Sequence, residues 1–164
     1  MVNEKDIIEF VSGLPETFVQ TAGPGDGSPE LAWGDTFIFY APEGRVPTDG
    51  RLPYATIVTK DYEGFDTESD LNRPGVFRLN VAVGRAEFER LVGYPPAAHR
   101  EHRAEHDYTV INRIIPNPNY ATQGWIAILN PAGDEETVER VRGLLRGAHE
   151  RAAKRHRPRG PRQM

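Results

Sequence analysis

The chain has 164 residues, a formal charge of −4 and 27% charged residues, which predicts one soluble domain large enough for its own core. It has no cysteine, which excludes a disulfide framework, a thiolate nucleophile and a cysteine zinc site. Its longest apolar runs, Phe37 to Ala41 and Trp125 to Leu129, hold five residues against the ~20 of a membrane helix. No membrane partner is therefore expected, and because Met-Val-Asn-Glu-Lys-Asp carries no stretch of export-signal length, a cytoplasmic location is.

A helix opens the chain. Asn3 can cap it, Asp6 stands at the capping-box position, and Ile7, Phe10, Val11 and Leu14 share a face until Gly13-Leu-Pro15 stops the ladder. Glu16–Ala22 reads as a strand, followed by turn chemistry throughout Gly23-Pro-Gly-Asp-Gly-Ser-Pro29. That glycine-rich turn is no phosphate loop, because Trp33-Gly-Asp-Thr-Phe-Ile-Phe-Tyr40 beyond it reads as a strand and not a helix. Tyr54–Lys60 is a third strand.

The fourth strand is the clearest. In Val76-Phe-Arg-Leu-Asn-Val-Ala-Val83, Phe77, Leu79, Val81 and Val83 fall on one face and Arg78 and Asn80 on the other. A short helix is predicted over Arg85–Leu91 with Phe88 and Leu91 inward. Helical turns are predicted around Ala97–Glu105, after Pro95-Pro96, and from Asp107 to Ile115. Trp125–Leu129 is a short apolar strand suited to an interior place in a sheet.

The last helix starts at Asp134, with Glu135 and Glu136 in its first turn and Val138, Val141, Leu145, Ala148 and Ala152 as its apolar stripe. Gly143 and Gly147 in that helix predict a close backbone approach to the sheet or to another helix. From Arg140 onward nine Arg or Lys stand against the single acid Glu150, a net of +8, and residues 1–139 carry −12. Such polarity points to a nucleic acid or another acidic partner, or to a solvated helix with a basic tail. Residues 1–155 are thus read as one domain and 156–164 as a disordered basic tail.

This order of elements predicts an α+β layer structure, an antiparallel sheet covered on one face by helices. The other face would meet solvent. That places Arg78 and Asn80 on an open surface, with Trp33, Asp35, Lys60, Arg85, Gln123 and Trp125 as further binding candidates. Forked guanidinium donors and aromatic rings suit a planar or anionic partner.

Other constellations are weaker. His99, His102 and His106 stand at i, i+3 and i+7, but three ligands from one short helix do not close a tetrahedron unaided, so no metal is expected. Asp66-Thr-Glu-Ser-Asp70 alternates oxygen-bearing side chains as a calcium loop does, yet Leu71 and Phe77 stand where that motif needs glycine and glutamate. No serine lies in a nucleophile-elbow motif. Neither a cofactor nor a catalytic residue is indicated, and a non-enzymatic role is expected.

At Pro53-Tyr-Ala-Thr-Ile-Val-Thr-Lys-Asp-Tyr62, Ser69-Asp-Leu-Asn-Arg-Pro-Gly-Val-Phe-Arg-Leu-Asn80 and Gln123-Gly-Trp-Ile-Ala-Ile-Leu-Asn-Pro131, the chain resembles a family of small bacterial proteins known only as a domain of unknown function. It is more distantly similar to MmcQ/YjbR-like proteins at Ser12-Gly-Leu-Pro15, Phe77-Arg-Leu-Asn80 and Trp125. That similarity implies an α-β-α-β-α, two-layer fold like secretion chaperones, with DNA binding suggested for the group. The chain departs from it at Val81-Ala82 and Gln123-Gly124, where the group carries cations that phosphate contacts need.

Two functions follow from these residues. The first is a binding domain for a nucleic acid or protein partner that uses the polar sheet face, helped by the basic C-terminal helix and tail. The alternative is a small-molecule or enzymatic site between the sheet and residues 95–118, with His99, His102, Arg85 and Asp35.

Overall fold

A computed structural model describes residues 2–156 of the chain. The predicted basic tail therefore lies outside the described residues beyond His156. Asn3 caps the first helix, α1 (Glu4–Ser12), through a full capping box: its side chain accepts from the Asp6 amide at 2.8 Å, and Asp6 accepts from the Asn3 amide at 3.1 Å. Strands β1 (Thr17–Thr21), β2 (Thr36–Tyr40), β3 (Ala55–Val58) and β4 (Arg78–Ala82) follow. Then come helices α2 (Arg85–Val92) and α3 (His99–His102), strands β5 (Ile114–Pro116) and β6 (Trp125–Leu129), and the long helix α4 (Glu135–His156).

The six strands form one sheet in the order β1-β2-β3-β4-β6-β5, and every neighbouring pair is antiparallel. The α+β class follows directly from this arrangement. β6 lies inside the sheet, between β4 and β5, as its unbroken apolar run predicts. Pro116, which has no N–H to give a ladder, is confined to the short edge strand β5.

Strand register sorts the side chains. Asn80 stands opposite Thr56 on one side and Ala127 on the other, and Arg78 opposite Val58 and Leu129. The alternate positions Ile38, Ala55, Ile57, Leu79, Val81, Ile126 and Ile128 form one apolar cluster. Ile7 and Val11 of α1, Phe88 of α2 and Val141, Leu144 and Leu145 of α4 join it. His149 ties α4 to the connection between α1 and β1 by a 2.6 Å contact to the Pro15 carbonyl, with its ring edge-on to Tyr40 and Tyr54.

The second face is not open. A smaller cluster of Val58, Leu71, Tyr108, Ile115, Ala127 and Leu129 covers part of it, contributed partly by the irregular segments before β4 and β5. Arg78 and Asn80 do point to this side, as strand alternation requires, but they are only 1% and 3% exposed. The expectation of a solvent-facing guanidinium and amide is therefore corrected: alternation fixes direction, while a loop packed from elsewhere decides access.

Three local expectations also change. The segment from Asp107 to Ile115 is no helical turn. The Asp107 side chain accepts from Thr109, Asn112 takes φ 60°, and β-branched Ile111, Ile114 and Ile115 pair with β6. The strand predicted from Trp33 begins only at Thr36, because Glu30–Ala32 forms a short 3-10 turn and Gly34 has φ 93°. Gly143 and Gly147 approach nothing: a Cβ at either would find no atom within 4 Å, so their spacing reflects no helix contact.

Candidate functional site

Seven of the predicted site residues fall in three places, and Arg85 stands apart, exposed on α2. Trp33, Asp35 and Lys60 lie together at the end of the sheet where β2 begins. The buried Asp35 carboxylate accepts from the Thr59 amide and hydroxyl, each at 2.8 Å, and from the Tyr62 hydroxyl, with the Lys60 ammonium 3.6 Å away. Burial, and then the hydrogen bond to Asp35, push the Tyr62 phenol well above its ordinary value. Lys60 also donates to the Trp33 carbonyl. Every strong donor here already has a partner, so the group is a structural clasp.

Arg78 and Asn80 form a second polar layer within the fold. The Arg78 guanidinium grips Asp66 with bonds of 3.0 and 2.5 Å and also donates to Ser69 and to the Asn80 side chain. Asn80 in turn donates to Thr56 and accepts from Asn117 at 2.9 Å. Buried charges persist only where they are paired and hydrogen-bonded, and this set meets that condition. Its effect is to fix two surface turns: Asp66 belongs to the tight 62–66 turn, and Asn117 holds the Asn119 and Tyr120 amides.

Gln123 and Trp125 reach a different setting. They line a cleft of about 980 Å3 between the end of α4 and the ends of three strands. Arg51, Leu52 and Tyr54 supply one wall, Ala82 ends β4 and Gly84 follows it, and Ala148, Arg151, Ala152, Lys154, Arg155 and His156 come from α4. Ala148, Arg151, Ala152 and Arg155 stand at i, i+3, i+4 and i+7 and so share one helix face. The first half of α4 fills the core with Val141, Leu144 and Leu145, whereas the second half offers alanines. Small side chains leave the gap unfilled, and the flanking cations rim it.

The cleft is electropositive by construction, since four of its lining residues are Arg or Lys and none is Asp or Glu. Arg51 is committed to Asp49, which it holds at 2.7 Å and whose carboxyl it draws down to about 2, and to the Tyr40 carbonyl. Among the described residues, Arg151, Lys154 and Arg155 make no ion pair. Burial, then the nearby charges of Arg51 and Arg155, hold the His156 imidazole below its ordinary value.

Two glycines bring the walls together. The Val83 and Gly84 amides both reach the Gly124 carbonyl at 3.1 Å, and a Cβ on Gly124 would stand 3.1 Å from Gly84 Cα. The Arg151 guanidinium lies across Gly84, where a Cβ would come within 2.2 Å of its central carbon. Sequence reasoning noted the basic charge of α4 but not that Arg151 and Arg155 share a face with alanines. That helical spacing was the available signal.

The alternative site does not assemble as predicted. Asp35 is engaged at the start of β2, and Arg85 is exposed on α2; among the described residues neither bonds to His99 or His102. The three histidines leave the single helix predicted for them, since α3 ends at His102 and His106 is extended. They gather instead around Tyr94. Its hydroxyl lies 2.9 Å from His99 Nδ1 and 2.7 Å from His106 Nε2, and the His102 ring stacks on it with centroids 4.2 Å apart. With one proton, that hydroxyl donates to one imidazole and accepts from the other. Burial, with Tyr108 and Glu105 nearby, pushes Tyr94 up to about 12. Among the described residues no three His, Asp or Glu side chains are arranged to hold a metal ion.

No helix among the described residues is long and apolar enough to cross a membrane. No curated protein and no solved structure matches the chain. A family model does match, over residues 2–161 and thus across the α1-to-α4 fold and the cleft: the chain belongs to a family of unknown function, DUF6194.

Proposed function

We propose that this protein is a non-enzymatic binding protein of the bacterial cytoplasm whose basic cleft takes a phosphate-bearing polyanion. One observation carries the reading: Arg151, Lys154 and Arg155, which make no ion pair among the described residues, line a single cleft with no carboxylate in its lining, in a chain whose net charge is negative. A negative chain gains little from general attraction to anions, so a local positive surface has to be built by placement. Gln123 and Trp125 belong to the site, with Arg151, Lys154 and Arg155 as the phosphate contacts. Arg78, Asn80, Trp33, Asp35 and Lys60 support the scaffold rather than touch the ligand.

The test is titration with inorganic polyphosphate followed by calorimetry. Affinity should fall linearly with the logarithm of salt concentration, and each of Arg151→Gln, Lys154→Gln and Arg155→Gln should lower the slope by about 1. Lys5→Gln, an exposed cation on α1, should leave binding unchanged. No binding at low salt, or equal loss in the Lys5 variant, would remove the cleft as the site.

A further inference from the structure

We infer that the polyanion is a single-stranded nucleic acid, with unpaired bases stacking on Phe65 and Tyr120 beside the cleft. This rests on the polyanion reading and adds a second, independent observation. Phe65 and Tyr120 are 58% and 40% exposed, yet they touch, edge to face, with ring centroids 6.3 Å apart. Tyr120 in turn meets Trp125 at 6.2 Å, and Trp125 lines the cleft. A run of three aromatic rings therefore leads from open surface to the basic cleft.

Single exposed apolar side chains are ordinary, but these two are held in place. Phe65 sits in the 62–66 turn, closed by backbone bonds between Tyr62 and Asp66 and anchored by the buried Asp66–Arg78 pair. Tyr120 is fixed by the hydrogen bond its backbone N–H donates to Asn117 Oδ1 at 2.9 Å, and Asn117 is fixed by donating to Asn80. Arg78 and Asn80 are thus positioning residues for both rings, which gives the buried polar layer a purpose at the surface.

The chemistry selects the ligand. Rings beside cations fit a chain that alternates planar bases with phosphates, and stacking on exposed aromatics needs bases whose faces are free. A duplex hides those faces within its own stack and offers a basic cleft only its backbone. An acidic peptide has the charge but no regular planar groups. Of the five acids within five positions of Phe65, Asp66, Glu68 and Asp70 are paired with Arg78, Arg103 and Arg73, while Asp61 and Glu63 make no ion pair among the described residues and are the unfavourable charges beside it.

The experiment compares four probes on the full chain at low salt: a labelled single-stranded oligonucleotide, its duplex, inorganic polyphosphate and poly-glutamate. The single strand should bind tightest. Phe65→Ala and Tyr120→Ala should each weaken it by roughly tenfold or more while leaving polyphosphate binding unchanged. Phe65→Tyr and Tyr120→Phe should retain binding, which separates lost stacking from lost folding; melting curves check each variant.

Equal binding of strand and duplex, or alanine variants that bind the strand like the parent, would overturn the inference and leave the polyanion cleft standing. Poly-glutamate binding as tightly as the strand would also overturn it, in favour of a protein partner. If none of the probes binds, both readings fall.

Discussion

Replacing Asp66 by alanine would leave the Arg78 guanidinium buried without its counter-charge. Arg78 is almost wholly inaccessible, and Asp66 takes two of its donors, leaving Ser69 and Asn80 as neutral partners. Removing one member of a buried pair costs about 3–5 kcal/mol, against ~0–1 kcal/mol for an exposed pair. A domain's whole stability is about 5–15 kcal/mol, so the variant should stay folded but close to its limit.

Urea titration followed by tryptophan fluorescence reads this directly, because Trp125 is buried beside the affected layer. With a denaturant slope of about 2 kcal/mol per molar, the midpoint should drop by about 1.5–2.5 M without a change in slope. The double variant Asp66→Leu with Arg78→Met removes both charges and keeps the Asn80 bonds to Thr56 and Asn117. It should regain at least half of the loss, because apolar replacement of a buried pair is close to neutral. A loss below about 1 kcal/mol in Asp66→Ala would refute the argument, since only a hydrated pair loses so little.

Further outcomes follow from the same geometry. Burial lowers the His99 imidazole, with His106 and His102 adding to the effect, and burial also lowers His106. Both protonate more readily in the unfolded chain, so their contribution is complete above about pH 6.5 and is lost as pH falls toward their lowered values. Calorimetric melting should therefore show a lower Tm at about pH 5.5 than at about pH 7.5, and His99→Gln should shrink that difference. Gly84 has φ 86° and ψ 172°, a region almost confined to glycine. Gly84→Ala should cost about 1–3 kcal/mol in chemical denaturation, displace Arg151 and weaken polyphosphate binding. Gly143→Ala and Gly147→Ala, each in open space on α4, should instead stabilise by about 0.5–1 kcal/mol in the same titration.

Much of the framework is local and therefore readable along the chain. The capping box at Asn3 and Asp6, the Gly13-Leu-Pro15 stop, the alternation over residues 76–83 and the apolar run of β6 each need only neighbours within a few positions. They establish the α+β class and the direction in which Arg78 and Asn80 point. Two of the eight predicted binding residues, Gln123 and Trp125, line the cleft, and both flank the sharp turn at Gly124 before a strand.

What covers a face is a different kind of fact. Whether Arg78 meets water or Asp66 depends on the loop before β4 folding back on the sheet, a contact between residues twelve apart with no periodic signal. Arg51 and Arg155 are about a hundred positions apart and share the cleft only because α4 returns along the start of β3 and the end of β4. Secondary structure follows from backbone hydrogen bonding and side-chain period, which short segments encode. A binding surface arises where distant segments pack and fail to fill the space between them, and only the folded chain decides where that happens.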